Sequence, residues 1–135
     1  KKEERIRRNL TYILLYMTET QMLVQACVAG IQEKKGKSIR IVNLENIDDT
    51  ITKYLVIGEG NSPNQVAAIT ESVRDFARKN ANARPSAVDG TRNNLWVAID
   101  FIDVVTHIFV PDAREFYDID NLWEDAEITD IPNID

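Results

Sequence analysis

Few side chains in this sequence are equipped for making or breaking bonds. There is one cysteine, Cys27, and one histidine, His107. Covalent catalysis needs a nucleophile with a general base at hydrogen-bond reach. Cys27 falls on the apolar face of a predicted helix with no histidine near it in sequence, the pattern of a small buried hydrophobe rather than a reactive thiol. His107 lies inside an apolar strand-like run, where a structural histidine is the default. No Gly-x-Ser-x-Gly elbow is present, so a hydrolase triad has little material. Asp100 and Asp103 could be paired carboxylates for a cation. They flank a predicted hairpin turn, however, where Asp is favoured for local hydrogen bonds, and no third ligand is evident. The loop GEGNS, 58–62, leads from a strand into a helix start, a generic anion-binding geometry. It is neither G-x-G-x-x-G nor G-x-x-x-x-G-K-[ST], and it reads as a tight strand-to-helix turn. These residues give no reason to expect a metal or another cofactor.

Charge and aromatic residues are distributed with more information. From Trp96 to the C-terminus there are eleven Asp/Glu against the single Arg114, a net charge of −10. The preceding 95 residues carry fifteen basic and eleven acidic groups, net +4. The acidic stretch also holds both tryptophans, Trp96 and Trp123. An acidic aromatic surface suits a basic protein partner and is ill suited to a phosphate backbone, so DNA is not an expected partner.

These residues need a scaffold. A chain of 135 residues makes one domain with one buried core. Its 44% hydrophobic and 28% charged composition is that of a globular protein. A lone cysteine excludes an internal disulfide framework and points to a reducing, cytoplasmic setting. No apolar run approaches the roughly 20 residues of a membrane span, and no signal-peptide pattern is present. Residues 1–16, KKEERIRRNLTYILLY, are basic and differ in composition from the remainder of the chain, which predicts an upstream or non-native segment outside the fold. Glu3, Glu4 and the lack of Ser argue against a transit peptide. The domain is expected over 17–127, with 128–135 as an acidic, frayed tail.

The elements can be read from periodicity and caps. Thr18 with Gln21 makes a capping box for a helix over 19–35, with Gly36 at the left-handed position after its end. SIRIVNL, 38–44, and YLVIGEG, 54–60, read as strands, the second apolar enough to be buried on both faces. Ser62 as N-cap, Pro63 at the first helical position and Gln65 completing another capping box start a second helix with an apolar stripe of Val66, Ile69, Val73, Phe76 and Ala77. Residues 85–88 predict a short edge strand, and Asp89-Gly90 a turn. WVAID, 96–100, and VVTHIFV, 104–110, are too close for a crossover and predict an antiparallel hairpin. Asp112 is expected to cap a short helix through Phe116, with another turn near 118–123. The sum is an α/β fold: a single domain with a mixed β-sheet flanked by helices.

Three stretches together carry a resemblance: YLVIGEGNSPNQVAAITESV, PSAVDG, and WVAIDFIDVVTHIFVPDAREFYDIDNLW. They are similar to the ribosomal silencing factor (iojap) family, which reads strand-Gly-x-x-Ser-x-x-x-Val-x-x-Ile, then (Glu/Asp)-Gly. A Trp-(Val/Ile)-x-x-Asp motif with Asp-Val-(Val/Ile)-x-His comes next, and Arg-x-Phe-Tyr ends in Leu-Trp. The match covers about residues 18–127. Ile102 departs from the family's usual Gly or small residue, and a β-branched side chain resists positive φ. Asn61 stands where Thr is common, and residues 1–16 have no counterpart.

The resemblance implies a nucleotidyltransferase-like fold without transfer activity. It implies binding to the large ribosomal subunit through its protein fourteen, blocking of small-subunit joining, and assistance in late subunit assembly. A homodimer of the free protein stays open. For the partner-binding face we select Trp96, Asp100, Phe101, Asp103, His107, Arg114 and Tyr117. Trp96, Asp100 and Asp103 match the family pattern position by position, and Phe101 matches its aromatic-or-Leu position. Phe101 is expected at the hairpin tip as an exposed anchor. Two alternatives stand beside this reading: a nucleotide-binding or nucleotidyltransferase-like enzyme, and an interaction module with another partner.

Overall fold

The computed structural model describes residues 1–8 and 17–134. Residues 2–8 are helical, while 9–16, the apolar half of the segment expected to stand outside the fold, lie beyond the described residues. From Met17 onward the chain builds a six-stranded mixed sheet with two long helices on one face and one short helix on the other. The strands are β1 (Lys37–Asn43), β2 (Tyr54–Glu59), β3 (Ala87–Asp89), β4 (Trp96–Asp100), β5 (Val104–Phe109) and β6 (Glu127–Ile131). Their order is β3-β4-β5-β2-β1-β6, and only β2 and β5 are parallel. β2, flanked on both sides, is buried from Tyr54 to Gly58, as its unbroken apolar run requires.

Helix α1 (Glu19–Glu33) begins at the capping box. The Gln21 amide donates to Thr18 Oγ1 at 3.1 Å, and the Thr18 amide donates to Gln21 Oε1 at 3.0 Å. Its exit differs from expectation. Lys35, with φ 61°, takes the left-handed position, and Gly36 meets a packing constraint instead: a Cβ there would lie 2.3 Å from Ile31 Cγ2. Helix α2 (Pro63–Ala81) starts at Ser62, whose hydroxyl accepts from the Gln65 amide. The Gln65 side chain accepts from Asn61, so this start is a cap without the reciprocal box. The two helices touch where Ser72 Oγ donates to the Gly30 carbonyl at 2.7 Å, and a Cβ at Gly30 would lie 2.7 Å from Val73 Cα. α1 and α2 together cover a core that includes Val56, Val97, Ile99 and Ile108. Cys27 is buried there, and desolvation pushes its thiol up to about 12, which makes it inert near neutral pH.

A second, smaller core lies on the opposite face, formed by Val42, Leu44, Leu55, Ile57, Phe109 and Ile119. Helix α3 (Pro111–Tyr117) and a 3-10 turn (Ile119–Asn121) lie over it. Asp112 does not cap α3. The N-cap is Val110, without a side-chain bond, because Pro111 already occupies the first helical position and leaves Asp112 inside the first turn.

Two further expectations are corrected. The predicted frayed tail contains β6, which pairs with β1 from Ile39↔Ile131 to Asn43↔Glu127. Without β6 the ladder edge of β1 would be open; Arg40 grips Asp130 through Nε at 2.7 Å and Nη2 at 3.2 Å across that pairing. The acidic composition belongs to a solvent-facing edge strand, where charge discourages further pairing.

Phe101 is the second correction. Its parity continues Val97 and Ile99, so its ring turns under the helices and is only 8% exposed. The outward residue at the tip is Ile102, 64% exposed with φ 77°. The Asp103 amide donates to the Phe101 carbonyl at 3.0 Å, which closes a γ-turn of positive φ around Ile102. A β-branched residue there is strained. Ile102→Gly is therefore expected to raise the urea midpoint, stabilising the fold by about 1 kcal/mol after the added chain entropy of glycine. Phe101→Ala should cost about 3 kcal/mol of stability. A lowered midpoint for Ile102→Gly would show that the turn is unstrained.

Candidate functional site

The half of the sheet formed by β3, β4 and β5 is roofed by α1 and α2 on one face and lies largely open on the other. Alternation along β4 points Trp96, Ala98 and Asp100 to the open face. The antiparallel register sets them opposite Phe109, His107 and Val105 respectively. Trp96 is the centre of this surface. Its ring stacks on Phe109 with centroids 5.0 Å apart and meets Tyr117 of α3 at 4.7 Å. Its indole Nε1 donates to His107 Nδ1 at 3.0 Å.

That hydrogen bond fixes the state of the histidine. An indole N–H only donates, so Nδ1 must be the unprotonated acceptor and the imidazole is neutral. Burial acts in the same direction, lowering the His107 pKa to about 4 against weaker opposing pulls from Asp100 and Asp120. The result is a rigid aromatic floor of Trp96, His107 and Phe109.

The selected residues do not all converge. Trp96, His107 and Tyr117 form one continuous surface, and Asp100 lies on the same face at the hairpin end. Asp100 also accepts from the Ile102 amide at 2.7 Å, so it shapes the turn. Asp103 is at the tip, 3.8 Å from Lys53. Phe101 is on the opposite, helix-covered face. Arg114 faces inward from α3, with its side chain 13% exposed. It holds Asp120 with both ends of its fork, at 3.1 and 2.8 Å, and reaches the Ser38 carbonyl at 2.7 Å and Glu59 at 3.1 Å. Arg114 positions α3.

Sequence reasoning missed Phe116. It is 81% exposed and meets Tyr117 edge-on at 5.1 Å, extending the aromatic surface outward. Consecutive residues on a helix point about 100° apart, so a Phe-Tyr pair on one short helix had to leave one ring in water. The carboxylates on this face are Asp89, paired with Ala98 in the register, and Asp100 at the hairpin end.

The geometry disfavours bond chemistry at the motifs that suggested it. In the GEGNS loop, the Gly60 amide donates to the Phe109 carbonyl and the Asn61 amide to Gln65, so these donors are engaged internally. Glu59 and Asp120, the carboxylates nearest the second core, are bound by Arg114.

Residues 17–135 match the family described as ribosomal silencing factor during starvation. This chain belongs to the ribosomal silencing factor family. It is 31% identical over 109 residues to ribosomal silencing factor RsfS of Bacillus subtilis, covering 81% of this chain and 91% of that protein. The RsfS of Halalkalibacterium halodurans is 31% identical over 114 residues, 84% of this chain and 96% of that protein. A crystal structure of a Chromobacterium violaceum protein superposes with a TM-score of 0.73 at 27% identity, covering 78% of this chain and 87% of the other. In this chain the aromatic surface lies wholly inside the family-matched span.

The Trp96–His107 pair gives the protein a defined pH response. The unfolded imidazole titrates near 6.5, whereas folded His107 titrates near 4. Stability is therefore complete above pH about 6.5 and falls as pH drops toward about 4, because the unfolded state binds the proton first. Between pH 7 and 5 the loss should be about 2 kcal/mol. Urea midpoints should show this slope in the native protein and lose most of it in His107→Gln; equal slopes would mean that another group carries it.

Proposed function

We propose that this protein represses translation by binding the large ribosomal subunit through its protein fourteen, with the aromatic sheet face as the contact. Bound there, it excludes the small subunit sterically, and no bond is made or broken. The observation that carries this reading is the open face of Trp96, His107 and Tyr117, extended by Phe116 and rimmed by carboxylates, in a chain of this family. A rigid aromatic patch with a charged rim has the anatomy of a protein interface. Its sign complements a basic ribosomal protein, which aids encounter and selects against acidic surfaces. Trp96 and Tyr117 supply the anchors, and Asp100 and Asp103 the charge, whereas Phe101 and Arg114 act through the fold.

The protein should comigrate with free large subunits and not with small ones, and should reduce the joined-ribosome peak when added before joining. Higher salt should weaken the binding. Tyr117→Ala, and separately Phe116→Ala, should each weaken binding by on the order of 2 kcal/mol, about thirtyfold, with an unchanged melting curve, since both rings are exposed. Migration only at the top of the gradient in moderate salt would end the silencing reading. Full binding by the double Ala variant would remove the aromatic face as the contact.

A further inference from the structure

The two layers of the fold carry opposite charge. The helical layer and its flanks, residues 18–37 and 62–86, hold seven basic against four acidic residues. Residues 87–134, which supply the open face, its rim and β6, hold eleven acidic against two basic residues. The positive charge is concentrated in an open cleft of about 1080 Å³ between the C-terminal end of α1 and the outer side of α2. Five cations line it: Lys34, Arg74, Arg78, Lys79 and Arg84. Three carboxylates, Glu33, Glu71 and Asp75, share the lining.

Those carboxylates do not neutralise the cleft. Arg74 pairs with Glu71 at 3.4 Å, and Arg78 and Lys79 both pair with Asp75, at 2.7 and 2.9 Å. All three pairs are exposed, where an ion pair adds little and exchanges readily for another anion. Lys34 and Arg84 have no carboxylate partner among the described residues. Three of the five cations are arginines, whose planar forks match phosphate oxygens. Arg74 and Arg78 are one helical turn apart on the same face and the cleft is continuous beside them, a row rather than a point.

We propose that this cleft binds an RNA phosphate backbone, without sequence preference, while the aromatic face on the other side of the sheet is free for a protein. The binding chemistry stands apart from the proposed function; only the source of the RNA, the large subunit itself, rests on that reading. The protein's net charge of −6 opposes RNA at long range. At physiological salt that repulsion is screened beyond about 8 Å, so the cleft acts only once the acidic face is turned away. Weak, strongly salt-dependent binding is the consequence.

The test uses the full chain and two labelled probes: a short RNA hairpin of arbitrary stem sequence, and a poly-glutamate peptide of matched charge. Fluorescence anisotropy is measured against salt for the native protein and for Arg78→Gln/Arg84→Gln. The native protein should bind the hairpin in preference to poly-glutamate. The double variant should bind it about tenfold more weakly or worse, with the slope of log affinity against log salt reduced by about 2, one for each lost phosphate contact. Its melting curve and its binding to isolated large-subunit protein fourteen should match the native protein. An unchanged hairpin affinity or salt slope in the variant overturns the proposal. So does equal or tighter binding of poly-glutamate, which would make the cleft a receptor for acidic protein. Cleft-dependent hairpin binding in a protein that ignores large subunits would sustain this inference and defeat the silencing reading.

Discussion

Arg114 ties the second face of the molecule together. α3 is seven residues long, has no side-chain N-cap and buries none of its residues. A helix that short has no independent stability in water. Besides Tyr117 against Trp96 and Ala113 against the second core, it is held by one guanidinium that binds the 3-10 turn through Asp120, β2 through Glu59, and β1 through the Ser38 carbonyl. Ser38, with φ 53°, lies in the register irregularity of β1, where a backbone carbonyl is released from the ladder. Arg40 extends the network to Asp120 at 3.6 Å and to Asp130 of β6. The placement of Phe116 and Tyr117, and so the outer half of the aromatic surface, depends on this cluster.

The neutral His107 is a second consequence of the same architecture. Trp96 lies against the imidazole, and burial with the indole hydrogen bond excludes the proton. The aromatic floor is therefore preorganised, and little ordering remains for a partner to impose. The chemistry of the surface is shape, quadrupole and rim charge.

Much of this was legible in the sequence, and the failures share a cause. The starts of α1 and α2, the burial of β2, the β4–β5 hairpin and the inertness of Cys27 rest on local patterns, and each is found where expected. The misreadings concern residues whose partners are distant in sequence. β6 is acidic and short, and only the open edge of β1 makes it a strand. Phe101 keeps strand parity past the last paired residue, which overrides the expectation that a turn residue faces water. Arg114 resembles a surface counter-charge until three separate elements close around it. The exit of α1 is a local exception: Lys35 takes the left-handed position, and Gly36 is glycine because Ile31 occupies the space its side chain would need.

The pairing of β1 with β6 also sets when this protein can finish folding. The Ser38 amide meets the Asn133 side chain across 95 positions of sequence. At about 5–20 residues per second, a nascent β1 waits roughly 5 to 20 seconds for its neighbour to be synthesised. Through that interval α1, β1, β2 and α2 can assemble, but the outer edge of β1 is unpaired and open to other strands. The acidic charge of β6 is absent during the wait and arrives together with closure. The sheet of this protein is therefore complete only after β6 has been synthesised.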